Sequence, residues 1–365
     1  MKNFSNIKVL ALILAYSSFA MADHHASSKH DSQVKYISYS QLGNPADVLE
    51  VKTEASSALN SGEVRVKVLA APINPSDLLQ ISGNYGVAAV LPARPGSEGV
   101  GRVTEVSPQV KNLKVGQLVL LAIGSTWAEE IVAPAEGFLP LPNLGTLSAE
   151  VIEQLAMSAV NPLTALLMLT SYGDIEEGQW IVQSAANSAV GGYVIQLAKQ
   201  RGIKTVNIVR REGLADDLMA KGADVVLIDG PNLTAQIAKA TNNASIMLAL
   251  DPVGGDTYGR LANSLGYGGT LVTYGVLSGK PATLDTGKVI FNDTRLRGFW
   301  LYKWYQTATT EEMQAAFGQV IPLIANGTLK ANIDSRYTVD QIKQAVTRAW
   351  EGGRNGKVLI VPNPL

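Results

Sequence analysis

The sequence predicts an α/β protein of two domains, and three patterns support this interpretation. Short β-rich runs bounded by glycine and proline fill residues 34–121, as is typical of a small barrel-like domain. From about residue 180 to residue 300, strands and helices alternate, which predicts a parallel, doubly wound sheet. At residues 179–202, an apolar strand passes through a turn of small residues into an apolar helix. This turn is the first candidate for a binding site.

The β-rich region contains five predicted strands, at residues 36–39, 48–53, 63–70, 99–106 and 117–121. Helical character begins near residue 148 and continues to residue 171. Near the end of the chain, two helices, at 311–326 and 339–351, precede a last strand at 356–361. We expect this last strand to return to the β-rich domain.

The alternating region contains six predicted strands and four clear helices. The strands are placed at 180–183, 205–209, 225–228, 246–250, 270–274 and 295–301. The helices are placed at 190–201, 213–221, 233–241 and 259–265. In such a sheet, ligands bind at the carboxyl ends of the strands.

The turn between Ser184 and Gly192 is built almost entirely from small side chains. A pyrophosphate can therefore approach the N-terminus of the following helix, where free N–H groups and the helix dipole favour an anion. The usual G-x-G-x-x-G pattern is absent, because Ala186, Ser188 and Ala189 stand where glycines are common. The turn by itself thus leaves open either a dinucleotide site or an ordinary strand-to-helix connection.

Two arginines, Arg210 and Arg211, directly follow the second strand of the alternating region. A chain that binds NAD often places an acidic residue here to hold the ribose hydroxyl. Arginines can instead hold a 2′-phosphate through charge-assisted hydrogen bonds. The pair therefore favours NADP(H) over NAD(H), the alternative being a solvated basic corner.

Composition excludes several kinds of site. The chain of 365 residues has a formal net charge of −1, so no strong nucleic-acid or anionic-membrane partner is indicated. There is no cysteine, and the three histidines are His24, His25 and His30. The body of the chain consequently lacks the ligands of a Cys/His zinc site and the histidine of a Ser-His-Asp triad.

The N-terminus has the pattern of a signal peptide over residues 1–22. Lys2 and Lys8 form a basic start, residues 9–20 are mostly apolar, and residues 20–22 form an A-x-A cleavage pattern. We expect residues 23–33 to be a disordered linker. If the signal is real, we expect the protein to be periplasmic or secreted; the alternative is a cytoplasmic protein. The mature chain would then begin Asp23-His24-His25, a possible Cu(II) or Ni(II) chelate.

Seven short motifs give the chain a resemblance to the medium-chain dehydrogenase/reductase superfamily, over roughly residues 34–362. The motifs look closest to those of the zinc-free trans-2-enoyl thioester reductases. They are INPSD at 73–77, GNYG at 83–86, PGSEGVG at 95–101, VNP at 160–162, ANSAVG at 186–191, TYG at 273–275 and LRGFWL at 296–301.

The resemblance implies a GroES-like β-barrel catalytic domain at 34–158 and 305–365, and a Rossmann NADP-binding domain at 159–304. It also implies a homodimer, for which the apolar edge strand at 296–301 could extend the sheet across a two-fold axis. Zinc-bearing relatives carry cysteine where Asn74 stands and histidine where Ser97 stands. Neither residue is an adequate replacement, so we expect NADPH as the cofactor and no zinc.

The resemblance also assigns roles to individual residues. Tyr85 matches the tyrosine that donates the proton to the enolate-like intermediate, and Asn161 matches a residue beside the nicotinamide. Lys357 matches a basic residue near the cofactor phosphate. Ala189 replaces a glycine of the family's phosphate loop, and its methyl group is tolerated only if φ is negative there. The remaining expected cofactor contacts are Asn187, Ser188, Val190, Arg210, Arg211, Tyr274, Gly275, Phe299, Trp300 and Leu301.

The first functional interpretation is NADPH-dependent reduction of the C=C bond of α,β-unsaturated carbonyl compounds, with 2-enoyl thioesters as the expected substrates. Hydride goes to the β-carbon and a proton to the α-carbon. Two alternatives stay open. A quinone reductase would use the same scaffold without a dedicated proton donor. An exported, repurposed binding protein is the other alternative, because a chain exported unfolded would leave its cofactor behind.

Overall fold

The computed structural model describes residues 32–122 and 124–365, and these form two compact units. Unit one comprises the described residues up to Val160, together with Tyr305–Gly327 and Asn332–Leu365. Unit two comprises Asn161–Trp304 and Thr328–Ala331. The proposed signal peptide at 1–22 and the proposed metal-binding residues Asp23-His24-His25 lie outside the described residues.

The first part of unit one is mostly β-structure. Gln33 belongs to a strand, although we expected residues 23–33 to be a disordered linker. Two short helices that the sequence analysis did not predict begin at Asn-Pro pairs, where proline suits the first helical position. The elements are β1 (Gln33–Ser38), α1 (Pro45–Val48), β2 (Glu50–Ala55), β3 (Glu63–Pro72), α2 (Pro75–Ile81), β4 (Gly99–Val106), β5 (Leu118–Leu121), β6 (Glu130–Pro134), β7 (Phe138–Pro140) and α3 (Ala149–Leu155).

Unit two consists of alternating helices and strands, as the sequence analysis predicted. The predicted last strand, 295–301, is too long, because Leu301 already begins the next helix. The elements are α4 (Asn161–Ser171), β8 (Trp180–Gln183), α5 (Ala189–Gln200), β9 (Lys204–Val209), α6 (Ala215–Lys221), β10 (Val225–Ile228), α7 (Leu233–Ala240), β11 (Ile246–Asp251), α8 (Gly255–Ala262), β12 (Thr270–Thr273), α9 (Thr286–Phe291), β13 (Arg295–Gly298) and α10 (Leu301–Thr307), whose last three residues belong to unit one.

The sheet of unit two has the order β10-β9-β8-β11-β12-β13, and every pair is parallel. This is the doubly wound order 3-2-1-4-5-6, which confirms the predicted Rossmann-type sheet. The order reverses between β8 and β11, so the loops after these two strands border the crevice in which such folds bind ligands.

The rest of unit one adds two strands to the end of its sheet. It adds α11 (Thr310–Ala325), β14 (Ile333–Tyr337), α12 (Ile342–Trp350) and β15 (Lys357–Ile360). β15 pairs antiparallel with β3, which confirms that the last strand returns to the β-rich region. The sheet order is β14-β15-β3-β4-β5-β7, and β6 pairs antiparallel with β3 as a branch outside this order. Among the described residues, no helix is both long enough and apolar enough to cross a bilayer.

Candidate active site

The loop between β8 and α5 has the geometry expected of a phosphate loop. The hydroxyl of Ser188 caps α5 by accepting the N–H of Gly191 at 3.1 Å. Ala185 has a φ of 47°, whereas Ala189 is the first residue of α5 and is not among the residues of positive φ. The methyl group of Ala189 therefore causes no backbone strain, which answers the question that the sequence left open.

Gly191 permits the close approach of α5 to the end of the loop. A Cβ atom at this position would lie 2.5 Å from the carbonyl oxygen of Ala186. Gly191 thus takes the place of the glycine that brings helix and strand together in dinucleotide folds. The glycine requirement of the motif is met at one position, even though alanine and serine fill its other positions.

Asp251, at the end of β11, joins three loops at the carboxyl edge of the sheet. Its carboxylate accepts the hydroxyl of Ser184 and the backbone N–H of Gly254 at 2.8 Å, while its carbonyl accepts the N–H of Tyr274. Asp251 is fully buried, and burial raises the pKa of its carboxyl, while the hydrogen bonds from Ser184 and Gly254 lower it. The sequence analysis assigned no role to Asp251 or Ser184.

Tyr274 and Gly275 directly follow β12. Burial and the nearby carboxylate of Asp251 raise the pKa of Tyr274 well above its ordinary value, while Ser188 acts in the opposite direction. Gly275 passes close to the loop after β11, since a Cβ there would lie 2.9 Å from the carbonyl oxygen of Pro252. Both residues therefore lie at the carboxyl end of the sheet, as the sequence analysis expected.

Arg210 and Arg211 are exposed, immediately after β9. β9 neighbours β8 in the sheet, so the arginines and the β8–α5 loop share its carboxyl edge. Asn187 in that loop is also exposed, and Val190 is half-buried. These side chains are accessible to a ligand bound at this edge.

Phe299, Trp300 and Leu301 connect β13 to α10. Phe299 packs edge-on against Tyr172, with ring centroids 6.3 Å apart, and the Tyr172 hydroxyl donates to the Gly298 carbonyl at 3.1 Å. Trp300 lies against Tyr302 and is 41% exposed. Asn161, the other residue expected near the nicotinamide, is buried at the first position of α4.

Tyr85 lies in unit one, in the turn that follows α2. The residues before it are held in place, because the N–H of Asn84 donates to the carbonyl of Leu79 at 2.8 Å. Gly83 has a φ of 78°, which only glycine adopts easily. Tyr85 itself is half-buried.

Lys357 is buried in unit one, with only 6% of its surface exposed. Its ammonium donates to the carbonyl of Ile73 at 2.9 Å and to Oδ1 of Asn74 at 2.5 Å. Although a polar turn precedes Lys357, its side chain is directed from β15 into the unit. Its assignment to the cofactor phosphate stays a prediction.

Asn74 links Lys357 to two buried carboxylates, forming what we call the Glu98 cluster (Asn74, Asp77, Glu98, Tyr305 and Lys357). The Asn74 side chain donates to Glu98 at 2.9 Å, and its backbone N–H donates to Asp77 at 2.8 Å. The hydroxyl of Tyr305 donates to the carbonyl of Ala159 at 2.6 Å. The sequence analysis included Asp77 and Glu98 within motifs but predicted no role for either residue. For Glu98, the available signal was an acidic residue directly before the predicted strand at 99–106.

Burial controls the ionisation of this cluster. It raises the pKa of Asp77 to about 6, against hydrogen bonds from Asn74 and Ser97 and the charge of Lys357. Burial likewise raises the pKa of Glu98, with Lys357 and Asn74 opposing it, and lowers that of Lys357. The cluster thus contains two acids, Asp77 and Glu98, and one base, Lys357, and the protonation state of each affects the pKa of the others.

Comparison with known proteins places the chain in a family. Residues 60–143 match the alcohol dehydrogenase GroES-like domain, and residues 189–320 match the zinc-binding dehydrogenase domain. The mitochondrial enoyl-[acyl-carrier-protein] reductase of Rattus norvegicus is 35% identical over 339 residues, covering 91% of this chain and 87% of the relative.

Solved structures agree with this assignment. The complex of Etr1p with NADP and crotonyl-CoA has a TM-score of 0.82 at 28% identity, covering 90% of this chain and 100% of the other. Etr1p is a mitochondrial 2-enoyl thioester reductase subunit of Candida tropicalis. A mycobacterial quinone oxidoreductase has a TM-score of 0.77 at 25% identity, with 90% and 100% coverage. The chain belongs to the enoyl-[acyl-carrier-protein] reductase family of the medium-chain dehydrogenase/reductase superfamily.

Proposed function

We propose that this protein uses NADPH to reduce the C=C bond of 2-enoyl thioesters. The observation that carries the proposal concerns the carboxyl edge of the parallel sheet. There the capped β8–α5 loop and Arg210-Arg211 follow directly after two neighbouring strands, β8 and β9. It is supported by a relative named enoyl-[acyl-carrier-protein] reductase and by a similar structure in complex with NADP and crotonyl-CoA.

The residues at this edge fit a dinucleotide phosphate. The N-terminus of α5 lies at this edge and favours a pyrophosphate, and Gly191 adds no side chain to the loop. We assign the pyrophosphate to residues 187–190, the 2′-phosphate to Arg210 and Arg211, and the dinucleotide's remaining contacts to Asn161, Tyr274, Gly275 and residues 299–301. When bound, NADPH supplies the hydride.

Tyr85 is our candidate for the proton donor. A phenol can protonate the α-carbon of an enolate as a general acid, and a turn that begins at Gly83 and is anchored through Asn84 offers a defined but accessible position. Lys357 has no proton-transfer role in this proposal, because its ammonium is committed to Ile73 and Asn74.

We propose that the reaction needs no zinc. The chain has no cysteine, and its three histidines all precede residue 31. Asn74 donates its side-chain amide to Glu98 and accepts from Lys357, so its hydrogen-bonding capacity is used within the protein. A zinc site would require a different donor set.

A quinone reductase is the second candidate, favoured by the similarity to a mycobacterial quinone oxidoreductase. It would use the same cofactor edge but would not need Tyr85. The two functions are separated by assaying NADPH oxidation with crotonyl-CoA and with a benzoquinone. Turnover of the thioester that depends on Tyr85 supports the first proposal, whereas turnover of the quinone alone would replace it with the second.

We also propose that the protein forms a homodimer through β13. This strand is at the edge of its sheet and all four of its residues are exposed, so one row of backbone N–H and C=O groups faces outward. The preceding helix, α9, exposes Ile290 by 72% and Phe291 by 80%. Light scattering should give the mass of two chains, and the mass should fall to that of one chain when Leu296→Lys is introduced.

For the N-terminus we propose export rather than mitochondrial import. The relatives are mitochondrial, but residues 1–22 contain no arginine, and transit peptides are rich in it. Cell fractionation followed by N-terminal sequencing tests this, with Asp23 expected as the first residue. Fluorescence titration with NADPH then tests the repurposed alternative, because an exported binding protein without enzymatic function would show no binding.

A further inference from the structure

Glu98 is a buried carboxylate that the proposed reaction does not use. Its exposed fraction is 0%, yet it accepts three hydrogen bonds. One comes from the side-chain amide of Asn74 and two come from the backbone N–H groups of Ala159 and Val160, each at 2.9 Å. An ionised carboxylate accepts hydrogen bonds at both of its oxygens and donates none. The ionised form of Glu98 therefore fits these three donors.

One side of the Glu98 cluster leads to Tyr85. Asn74 is the N-cap of α2, and Asp77 accepts the N–H of Asn74 in a capping box. α2 has seven residues, of which Leu78 and Ile81 are buried, and the turn that carries Tyr85 follows it directly. A shift of Asn74 would therefore move the whole short helix, together with the turn at its end.

Lys357 determines which way the amide of Asn74 faces. Its ammonium has donors only, so the atom of Asn74 that lies 2.5 Å away must be the carbonyl Oδ1. The amide nitrogen then points toward Glu98. The lysine thus selects the orientation in which Asn74 can hold the carboxylate.

The other side of the cluster holds the two segments by which the chain leaves and re-enters unit one. Glu98 binds the N–H groups of Ala159 and Val160, and Tyr305 donates to the carbonyl of Ala159. Val160 and Tyr305 are the residues at which unit one is interrupted and resumed. The carboxylate of Glu98 therefore anchors both the segment at Ala159 and Val160 and, through Asn74, the start of α2.

We propose that Glu98 is a positioning residue for Tyr85, acting through Asn74 and α2. This inference rests on the proposed function, since it assigns to Glu98 the placement of the proton donor in that reaction. Glutamine at this position would present an NH₂ group either to Asn74 or to two backbone N–H donors, and one side of the cluster would lose its acceptor.

The test compares Glu98→Gln with Glu153→Gln. Glu153 is a matched control, because it is a buried acid of the same unit that pairs with Arg336 of β14 instead of with the N-cap of α2. We expect Glu98→Gln to lower kcat for crotonyl-CoA by about tenfold or more, with KM and the NADPH dissociation constant changing by less than about threefold. Glu153→Gln should lower the melting temperature and leave kcat unchanged.

A double-variant cycle with Tyr85→Phe separates positioning from general destabilisation. If Glu98 acts through Tyr85, adding Glu98→Gln to Tyr85→Phe should cost little further rate. Asn74→Asp, which keeps the acceptor for Lys357 but repels Glu98, should reproduce the loss if Glu98→Gln does not fold. A wild-type rate in Glu98→Gln or Asn74→Asp, or additive losses in the cycle, overturns the positioning role while the proposed function stands. Absence of thioester turnover in the wild type overturns both.

Discussion

Gly191 packs so tightly against Ala186 that any side chain at residue 191 would collide with the backbone. A Cβ atom there would lie 2.5 Å from the Ala186 carbonyl oxygen and 2.7 Å from its Cα. The neighbouring Gly192 has room, because its nearest contacts would be the flexible ends of Lys221 and Gln196 at 3.8 and 3.9 Å. The two adjacent glycines of α5 therefore have different requirements.

We predict that Gly191→Ala lowers the free energy of unfolding by about 2 kcal/mol, because the backbone of the β8–α5 loop must shift. NADPH binding should weaken with it. Gly192→Ala is the control, and it should be neutral or slightly stabilising, since alanine favours a helix. Denaturant unfolding and fluorescence titration measure both effects. Equal behaviour of the two variants would contradict the role of Gly191.

Removing the hydroxyl of Tyr85 should reduce turnover selectively. We expect Tyr85→Phe to lower kcat with crotonyl-CoA by about a hundredfold or more, the usual contribution of a general acid. NADPH affinity should be unchanged, because the residues that we assign to the cofactor phosphates lie elsewhere in the chain. Tyr267→Phe, a change at a tyrosine that is 75% exposed, serves as the control. A wild-type rate in Tyr85→Phe would remove its hydroxyl from the mechanism.

The two arginines after β9 should determine cofactor preference. We predict that Arg210→Ala combined with Arg211→Ala weakens NADPH binding by about tenfold or more, because each charge-assisted bond to a phosphate is worth about 1.5 kcal/mol or more. NADH binding should hardly change, since NADH has no 2′-phosphate. Lys239→Ala combined with Lys343→Ala removes two exposed positive charges, on α7 and α12, and controls for net charge. Parallel losses for both cofactors would assign the arginines to general electrostatics.

Asp77 should make the stability of the protein depend on pH in a defined direction. Its pKa rises from 3.8 to about 6 in the folded state because of burial. The folded state therefore binds more protons than the unfolded state at this site, so the contribution of Asp77 to stability is fully present below pH 3.8 and is lost as the pH rises through about 6.

Asp77→Asn removes this titration but keeps an oxygen that can accept from Asn74. Relative to wild type, we expect the variant to gain on the order of 2 kcal/mol in unfolding free energy as the pH rises through this range. Denaturant titrations at several pH values between 3.8 and 6 measure the difference. Curves that stay parallel would show that Asp77 has an ordinary pKa.

The sequence by itself determined the parallel sheet and the carboxyl edge at which we propose that the cofactor binds. Hydrophobic periodicity and small residues are local signals, so the strands beginning at Trp180, Val225 and Ile246 were predicted at the correct starting residues. The return of the last strand was also foreseen. The predicted contacts at Tyr274 and Gly275 lie at the expected edge because strand ends follow directly from strand assignments.

Only the tertiary structure decided which polar residues are buried together. Lys357 follows a polar turn, and Asn74, Glu98 and Ala159 are far from it in sequence, yet β3 and β15 pair and bring these segments into one cluster. Asp251 likewise acquires its role only when β8 and β11 become neighbours and Ser184 meets its carboxylate. Local sequence carries no record of such pairings, because a buried charge is stabilised by partners that the fold, not the chain order, brings within hydrogen-bonding distance.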